Sequence, residues 1–332
     1  MKPLRMLLVT AITVSIAACS SGGASTAPTE APASAAPSAA PSVEASAPAA
    51  EKVKIGLITK FPVDFFFVIE NAAKEWAAAH PDVELITGQG AAGNDHEGQI
   101  AIIESMVAQG VQGIAVTPTG PQVQPALDAA VAAGVKIVLI DNDLPDWTGK
   151  SAVVATDNYA GGVLAGQWLK ENLQAGDTLA VLEGVAGVPA LDARVEGMSE
   201  GLAGLDVTIV QQLPTDCDQV KGQDAADAIL TANPDVKAIY GACGPPIIGA
   251  LESIKNAGRA PDSIIVVGFD ASPDEIAAIE AGTEDASVAQ FPAKMGELGV
   301  DTVYKAVLGE SVEANVDTGT AIVTKDNAAD FK

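Results

Sequence analysis

Residues 53–86 read VKIGLITKFPVDFFFVIENAAKEWAAAHPDVELI. Two short apolar, β-branched runs at 54–58 and 83–86 flank a helical stretch at 69–79. Strand, helix and strand in that order form a βαβ unit. The alternation continues with strands at 113–116, 136–140 and 151–154 and helical stretches at 98–109 and 123–133. A second set of strands follows at 178–182, 207–210, 238–240, 264–267 and 287–289, again with helical stretches between them. Repetition of this kind predicts an α/β fold: two doubly wound lobes, each a parallel sheet covered by helices on both faces. A chain of 332 residues is long enough to bury both cores.

Composition narrows the function classes. The chain is 48% hydrophobic but only 4% aromatic, and four of its seven phenylalanines, Phe61, Phe65, Phe66 and Phe67, fall in the opening stretch. Residues 1–18 carry Lys2 and Arg5 ahead of an apolar run too short to span a bilayer, which reads as a secretory signal peptide. The IAAC ending at Cys19 resembles a bacterial lipobox, which implies that Cys19 becomes a lipid anchor. Residues 19–51 are mostly Ser, Ala, Pro, Gly, Thr and Glu with no apolar face to bury, and read as a disordered tether. A formal charge of −25 argues against nucleic acid as a partner, because phosphate binding needs clusters of Lys and Arg. With Cys19 given to lipid, Cys217 and Cys243 remain as a pair in an oxidising compartment.

Ligands of doubly wound sheets sit beyond the carboxyl ends of the strands. Lys60 and the Phe cluster follow the first strand, Thr117 the strand at 113–116, and Asp141 and Asn142 the strand at 136–140. In the second set the strands lead to Arg194, Cys217, Cys243, Asp270 and Gln290. A row of polar groups with an aromatic patch, ending two sheets that face each other, predicts a cleft for a small polar molecule. Catalytic motifs fail on context. GMSEG at 197–201 matches a serine-nucleophile pattern but lies in a helical stretch, and His80 and His96 precede it. GQGAAG at 88–93 matches a dinucleotide turn, yet the next strand ends in Thr117-Pro118 rather than a ribose-binding acid. DNDLPD at 141–146 lacks the glycine and closing glutamate of a calcium loop. The sequence therefore calls for no cofactor, no metal and no catalysis.

Taken in order, TDNYAGG at 156–162, GVAG at 184–187 with RVEG at 194–197, DQVKG at 218–222, VGFDASPD at 267–274 and AQ at 289–290 form a pattern with Phe66 and Phe67. That pattern resembles the periplasmic sugar-binding proteins of the ribose-binding type, the soluble receptors of ABC importers, whose fold LacI-like repressors share. The resemblance implies an N-terminal lobe of residues 52–156 plus 291–320 and a C-terminal lobe of 157–290 plus 321–332. Three crossings, near 156–157, 290–291 and 320–321, would form a hinge that closes on the ligand. It further implies that Phe66 and Phe67 cover the apolar face of a sugar while Phe61 and Phe65 pack the turn and the core. Asp141, Arg194, Asp270 and Gln290 match polar ligand positions of the family, with Arg194 within reach of a carboxylate.

The chain departs from the ribose binders at Lys60, where they have serine, at Asp64 and Thr117, where they have asparagine, and at Asn142, where they have arginine. Cys217 replaces a stacking phenylalanine and Cys243 an asparagine. Both cysteines thus fall on neighbouring loops of one lobe, where a disulfide between them would contribute about 3 kcal/mol on a chain-entropy estimate. The implied function is a monomeric, extracytoplasmic, non-catalytic lipoprotein that delivers a monosaccharide or polyol to an ABC permease. The acidic pocket leaves an amino-bearing ligand as the alternative, and a membrane signalling protein as an alternative partner.

Overall fold

The computed structural model describes residues 51–260 and 262–331. The signal-like segment, Cys19 and the Ser/Ala/Pro-rich stretch to residue 50 lie outside them. The first half builds β1 (Val53–Thr59), α1 (Asp64–Ala79), β2 (Val83–Gln89), α2 (His96–Ala108), β3 (Gly113–Val116), α3 (Gln124–Ala132), β4 (Lys136–Ile140) and β5 (Ala152–Ala155). Then come α4 (Asn158–Asn172), β6 (Thr178–Glu183), α5 (Pro189–Gly201), β7 (Thr208–Pro214), α6 (Gln219–Ala232), β8 (Ala238–Gly241) and α7 (Gly244–Asn256). The rest is β9 (Ile265–Asp270), α8 (Pro273–Ala281), β10 (Ala286–Ala289), α9 (Pro292–Val307), β11 (Asn315–Asp317) and β12 (Ala321–Thr324).

These strands form two six-stranded sheets of matching order, β11-β5-β4-β3-β1-β2 and β12-β10-β9-β8-β6-β7. Side chains alternate across each sheet, so β1 serves two cores at once. Ile55 and Leu57 pack with Ile69 of α1 and Met295 and Val303 of α9. Ile58 turns to the opposite face, with Ile103 of α2 and Leu127 of α3. In the second sheet Val181 packs with Leu169 of α4 and Met198 of α5, and Leu182 with Ile229 of α6 and Ile247 of α7. This two-faced burial is why the strands read as unbroken apolar runs.

The structure departs from the sequence reading at its first helix and at its last strand. Helix α1 begins at Asp64 rather than at residue 69, so Phe65, Phe66 and Phe67 are helical; Asp64 supplies a favourable acid in the first turn. Strand β12 runs antiparallel to β10, with Ala289 opposite Ala321 and Ala286 opposite Thr324, where a wholly parallel sheet was expected. The chain re-enters the second sheet beside the point where β10 leaves it, so it can only run back along that strand.

The chain passes between the sheets three times, after β5, β10 and β11. The passages are bonded to one another: the Thr318 amide donates to the Ala155 carbonyl (3.0 Å), and the Asp157 amide to Asp317 Oδ1 (3.1 Å). Lys294 adds a donor to the Thr318 carbonyl (3.4 Å) while its ammonium lies 4.3 Å from the centre of the Phe291 ring.

Candidate functional site

A cavity of about 880 Å³ opens at the carboxyl ends of both sheets, lined by Lys60, Asp141, Asn142 and His96 from one lobe and by Tyr159, Val188 and Ala193 from the other. Lys60 follows β1 and its ammonium donates to Asn142 Oδ1, beyond β4. Burial holds the Lys60 amine below the usual lysine range, opposed by the adjacent Asp141 charge. Burial likewise pushes the Asp141 carboxyl up, opposed by Lys60 and Arg194. Asp141 adopts a left-handed backbone, φ 65°, pinned by its amide donating to the Val154 carbonyl (3.0 Å). No hydrogen-bond partner is found for its carboxylate among the described residues, so that acceptor faces the cavity unused.

Behind the cavity the second lobe holds a closed circuit of hydrogen bonds. Arg194 of α5 is 6% exposed; its Nε donates to Asn158 Oδ1 (2.8 Å), and its Nη1 to the Ala242 carbonyl (2.8 Å) and to Asp270 Oδ1 (3.2 Å). Its guanidinium carbon lies 3.8 Å from the centre of the Phe269 ring, a cation–π contact that helps to offset desolvation. Gln290 Nε2 donates to the same Asp270 oxygen (2.6 Å), Thr156 Oγ1 donates to Gln290 Oε1 (2.9 Å), and Asn158 Nδ2 donates back to the Thr156 carbonyl (3.1 Å). Asp270 itself sits at φ 111° and accepts from the Gly244 amide on its other oxygen (3.3 Å). The circuit joins the first crossing, the second crossing and the charged pair.

The remaining residues singled out in the sequence are placed unevenly. Phe66 is 5% exposed and packed edge-on against Phe61 and Phe65 in the first core, so its ring is committed there; Phe67 is 41% exposed. Their helical positions explain the split, since Phe66, Ile69 and Ala73 share the inward face of α1. Asp64 lies exposed at the start of the same helix. Thr117 is buried just after β3, with no partner for its hydroxyl among the described residues. Cys217 and Cys243 form a disulfide, Cα–Cα 5.6 Å.

Sequence reasoning missed Thr156, Asn158 and Gln99. Gln99 is fully buried on α2, where its amide donates to the Thr117 carbonyl (2.9 Å) and its oxygen accepts from the Thr119 amide (2.8 Å). It thereby fixes the loop whose Thr119 hydroxyl bonds His96 at the cavity wall (2.9 Å). The signal for Asn158 was its place after Asp157, which caps α4 by accepting from the Ala160 amide (2.9 Å).

Comparison with known proteins gives a consistent result. The profile described as "Periplasmic binding protein domain" matches residues 55–311. The ribose import binding protein of Escherichia coli is 29% identical over 283 residues, 84% of this chain and 93% of that protein. Its Bacillus subtilis counterpart is 30% identical over 70% of this chain and 75% of its own length. A solved structure of an ABC transporter periplasmic solute-binding protein from Actinobacillus succinogenes, with bound D-allose, superposes with a TM-score of 0.78 at 26% identity, covering 84% of this chain and all of that one.

Proposed function

The chain belongs to the periplasmic binding protein family, and we propose that it captures a monosaccharide or polyol outside the membrane, closes its two lobes on it and delivers it to an ABC permease. Capture is non-catalytic. The observation that carries the reading is the unpartnered Asp141 carboxylate, facing the cavity beside Lys60 and Asn142. A carboxylate accepts from two hydroxyls, an ammonium and an amide donate, and together they suit a ring of hydroxyl groups. Arg194, Asp270 and Gln290, already locked to one another, would present the remaining lone pairs and N–H groups from the opposite lobe. Phe67, exposed on α1, is the ring we assign to the apolar sugar face. Thr117 and Asp64 complete the proposed binding set, and the two cysteines, bonded to each other, stand beside it as a bridge. Lipidation of Cys19 would hold the receptor at the membrane, with residues 20–51 as its tether.

An amino-bearing ligand is the second reading, favoured by the excess of acids at the cavity, where Asp141, Asp143, Asp146, Asp157 and Asp317 stand against Lys60. Both are tested by melting the chain against pentoses, hexoses, polyols, cyclitols and amino sugars. A ligand that binds only the folded state raises the melting temperature with ln(1 + [L]/Kd). A rise of several degrees with a neutral sugar or polyol is expected. Preference for the amino sugar selects the second reading, and silence across the panel removes both.

A further inference from the structure

The two cysteines stand at the starts of neighbouring helices. Cys217 directly precedes Asp218, the residue that caps α6, and Cys243 is itself the capping residue of α7. The helices pack closely: a side-chain carbon on Gly222 of α6 would fall 2.3 Å from the backbone of Pro246, and one on Gly249 of α7 would fall 2.1 Å from the Gln219 carbonyl. The loop before α6 is held to the sheet, because buried Thr215 gives both its amide and its hydroxyl to the Glu183 carbonyl at the end of β6 (3.0 and 2.6 Å). Asp216 and Cys217 then take consecutive left-handed conformations, φ 52° and 53°, which non-glycine residues adopt only under constraint. The bridge thus runs from a rigidly anchored, strained loop to the first residue before α7.

What adjoins Cys243 gives this position its significance. The carbonyl of Ala242, on one side, accepts from Arg194 Nη1; the amide of Gly244, on the other, donates to Asp270 Oδ2. Helix α7 begins Gly244-Pro245-Pro246, and the two prolines have no N–H, so Gly244 offers the one amide in the first three positions that needs an external acceptor. Cys243 makes no side-chain cap, and Asp270 fills that role. The orientation of Asp270 is therefore tied to where residues 242–244 lie.

We propose that the Cys217–Cys243 disulfide is a positioning element of the binding site: it fixes the Ala242–Gly244 peptides, which set the Arg194–Asp270 pair, so that breaking it impairs ligand binding without abolishing the fold. The statement about ligand rests on the function proposed above; the statement about the pair does not. Capture by this receptor is thereby sensitive to thiol reductants, through contacts that the sulfur atoms themselves do not make.

The test compares the full chain purified without reductant, the same chain reduced with a phosphine, and the Cys217→Ala/Cys243→Ala variant. D-ribose, D-allose and myo-inositol serve as probes, and the side-chain Nε–H signal of Arg194, identified by its loss in Arg194→Lys, is followed by nitrogen-15 NMR. Loss of one charge-assisted contact predicts that Kd rises about tenfold or more in the reduced and variant chains, while the signal exchanges faster with solvent. Unchanged affinity together with unchanged exchange would overturn the proposal. If none of the three probes binds, the Arg194 signal alone decides the positioning role: faster exchange supports it and equal exchange ends it. Global unfolding on reduction would also overturn it, because the bridge would then hold the lobe rather than the site.

Discussion

At the scale of single residues, Asp141 stands half-buried at the cavity wall, and its carboxylate bonds to no group of the described residues. Desolvation at the cavity wall raises its pKa, and a ligand hydroxyl would supply the hydrogen bond it lacks there. Replacing Asp141 with Ala should weaken ligand binding by about 1.5–3 kcal/mol, roughly 10- to 150-fold, and lower the melting temperature of the ligand-free chain slightly, because alanine tolerates the left-handed backbone at 141 less well than aspartate. Calorimetric titration beside a thermal melt checks both halves. Because the carboxyl stands above its ordinary range, it takes up its proton at a higher pH than a free aspartate. Affinity should therefore weaken on acidification while ordinary carboxylates are still ionised, and Asp141→Asn should bind weakly with that pH dependence gone. Asp141 and Gln290 were singled out in the sequence because each follows a strand, and the structure ties Gln290 to Asp270, the last residue of β9, and Asp270 to Arg194 of α5. Gln99, Thr156 and Asn158 were not, since each acts on a backbone carbonyl or a side chain set by the tertiary fold. Phe66 was half-legible: its place after β1 pointed to the cleft, but helical periodicity turns it into the core.

At the scale of elements, GMSEG at 197–201 finds its use as a packing surface. Helices α4 and α5 cross at glycines: a side-chain carbon on Gly197 would fall 2.1 Å from the Tyr159 carbonyl, and one on Gly166 would fall 2.1 Å from the Met198 carbonyl. Gly197→Ala must push α5 from α4, and since Arg194 sits one turn earlier it should cost about 1–3 kcal/mol of stability and weaken binding as well. Denaturant melts and titration of one sample measure the two effects together. In α8 the buried Glu275 accepts from the Ser272 amide and hydroxyl (2.9 and 2.8 Å) and from the Ser287 hydroxyl (2.8 Å), while Ser287 accepts from the Ala271 amide (3.0 Å). Burial, then Asp270, pushes the Glu275 carboxyl up to about 8, and burial, then Glu275 and Asp285, pushes neighbouring Glu284 well above its ordinary value. A carboxyl whose pKa is raised by folding holds its proton more tightly in the folded chain. Its stability contribution is full below the unfolded value near 4.5 and is lost as pH rises through about 8. Melting temperature should accordingly fall over that interval, and Glu284→Gln should flatten the fall and raise the melting point at its alkaline end. A slope unchanged in the variant would show that the pair does not govern it. The sequence pointed to a helix near α8 but gave no sign of the paired acids, because Glu275 and Glu284 meet only once β9 and β10 lie side by side.

At the scale of the molecule, the repeated alternation of strand and helix made two lobes readable, whereas β11 and β12 were not: three and four residues long, they are strands only because a sheet edge waits for them. Those short strands carry the third crossing, and the hinge works as one device because side chains connect its passages. Gln290 has the central position. It directly follows β10, begins the second crossing, accepts from Thr156 of the first and donates to Asp270. A ligand that draws Asp270 toward the first lobe therefore pulls on both crossings through one amide. Gln290→Leu keeps the volume but severs both bonds, leaving the Thr156 hydroxyl and the Asp270 carboxylate each short of a partner. Small-angle scattering should show the wild-type chain becoming more compact at saturating ligand, as hinge closure requires. The leucine variant, loaded to the same occupancy, should compact less, with its ligand-free dimensions unaltered. Equal compaction in both would place the coupling in the backbone passages alone, where Thr318 bonds Ala155 and Asp157 bonds Asp317, and would reduce Gln290 to a ligand contact.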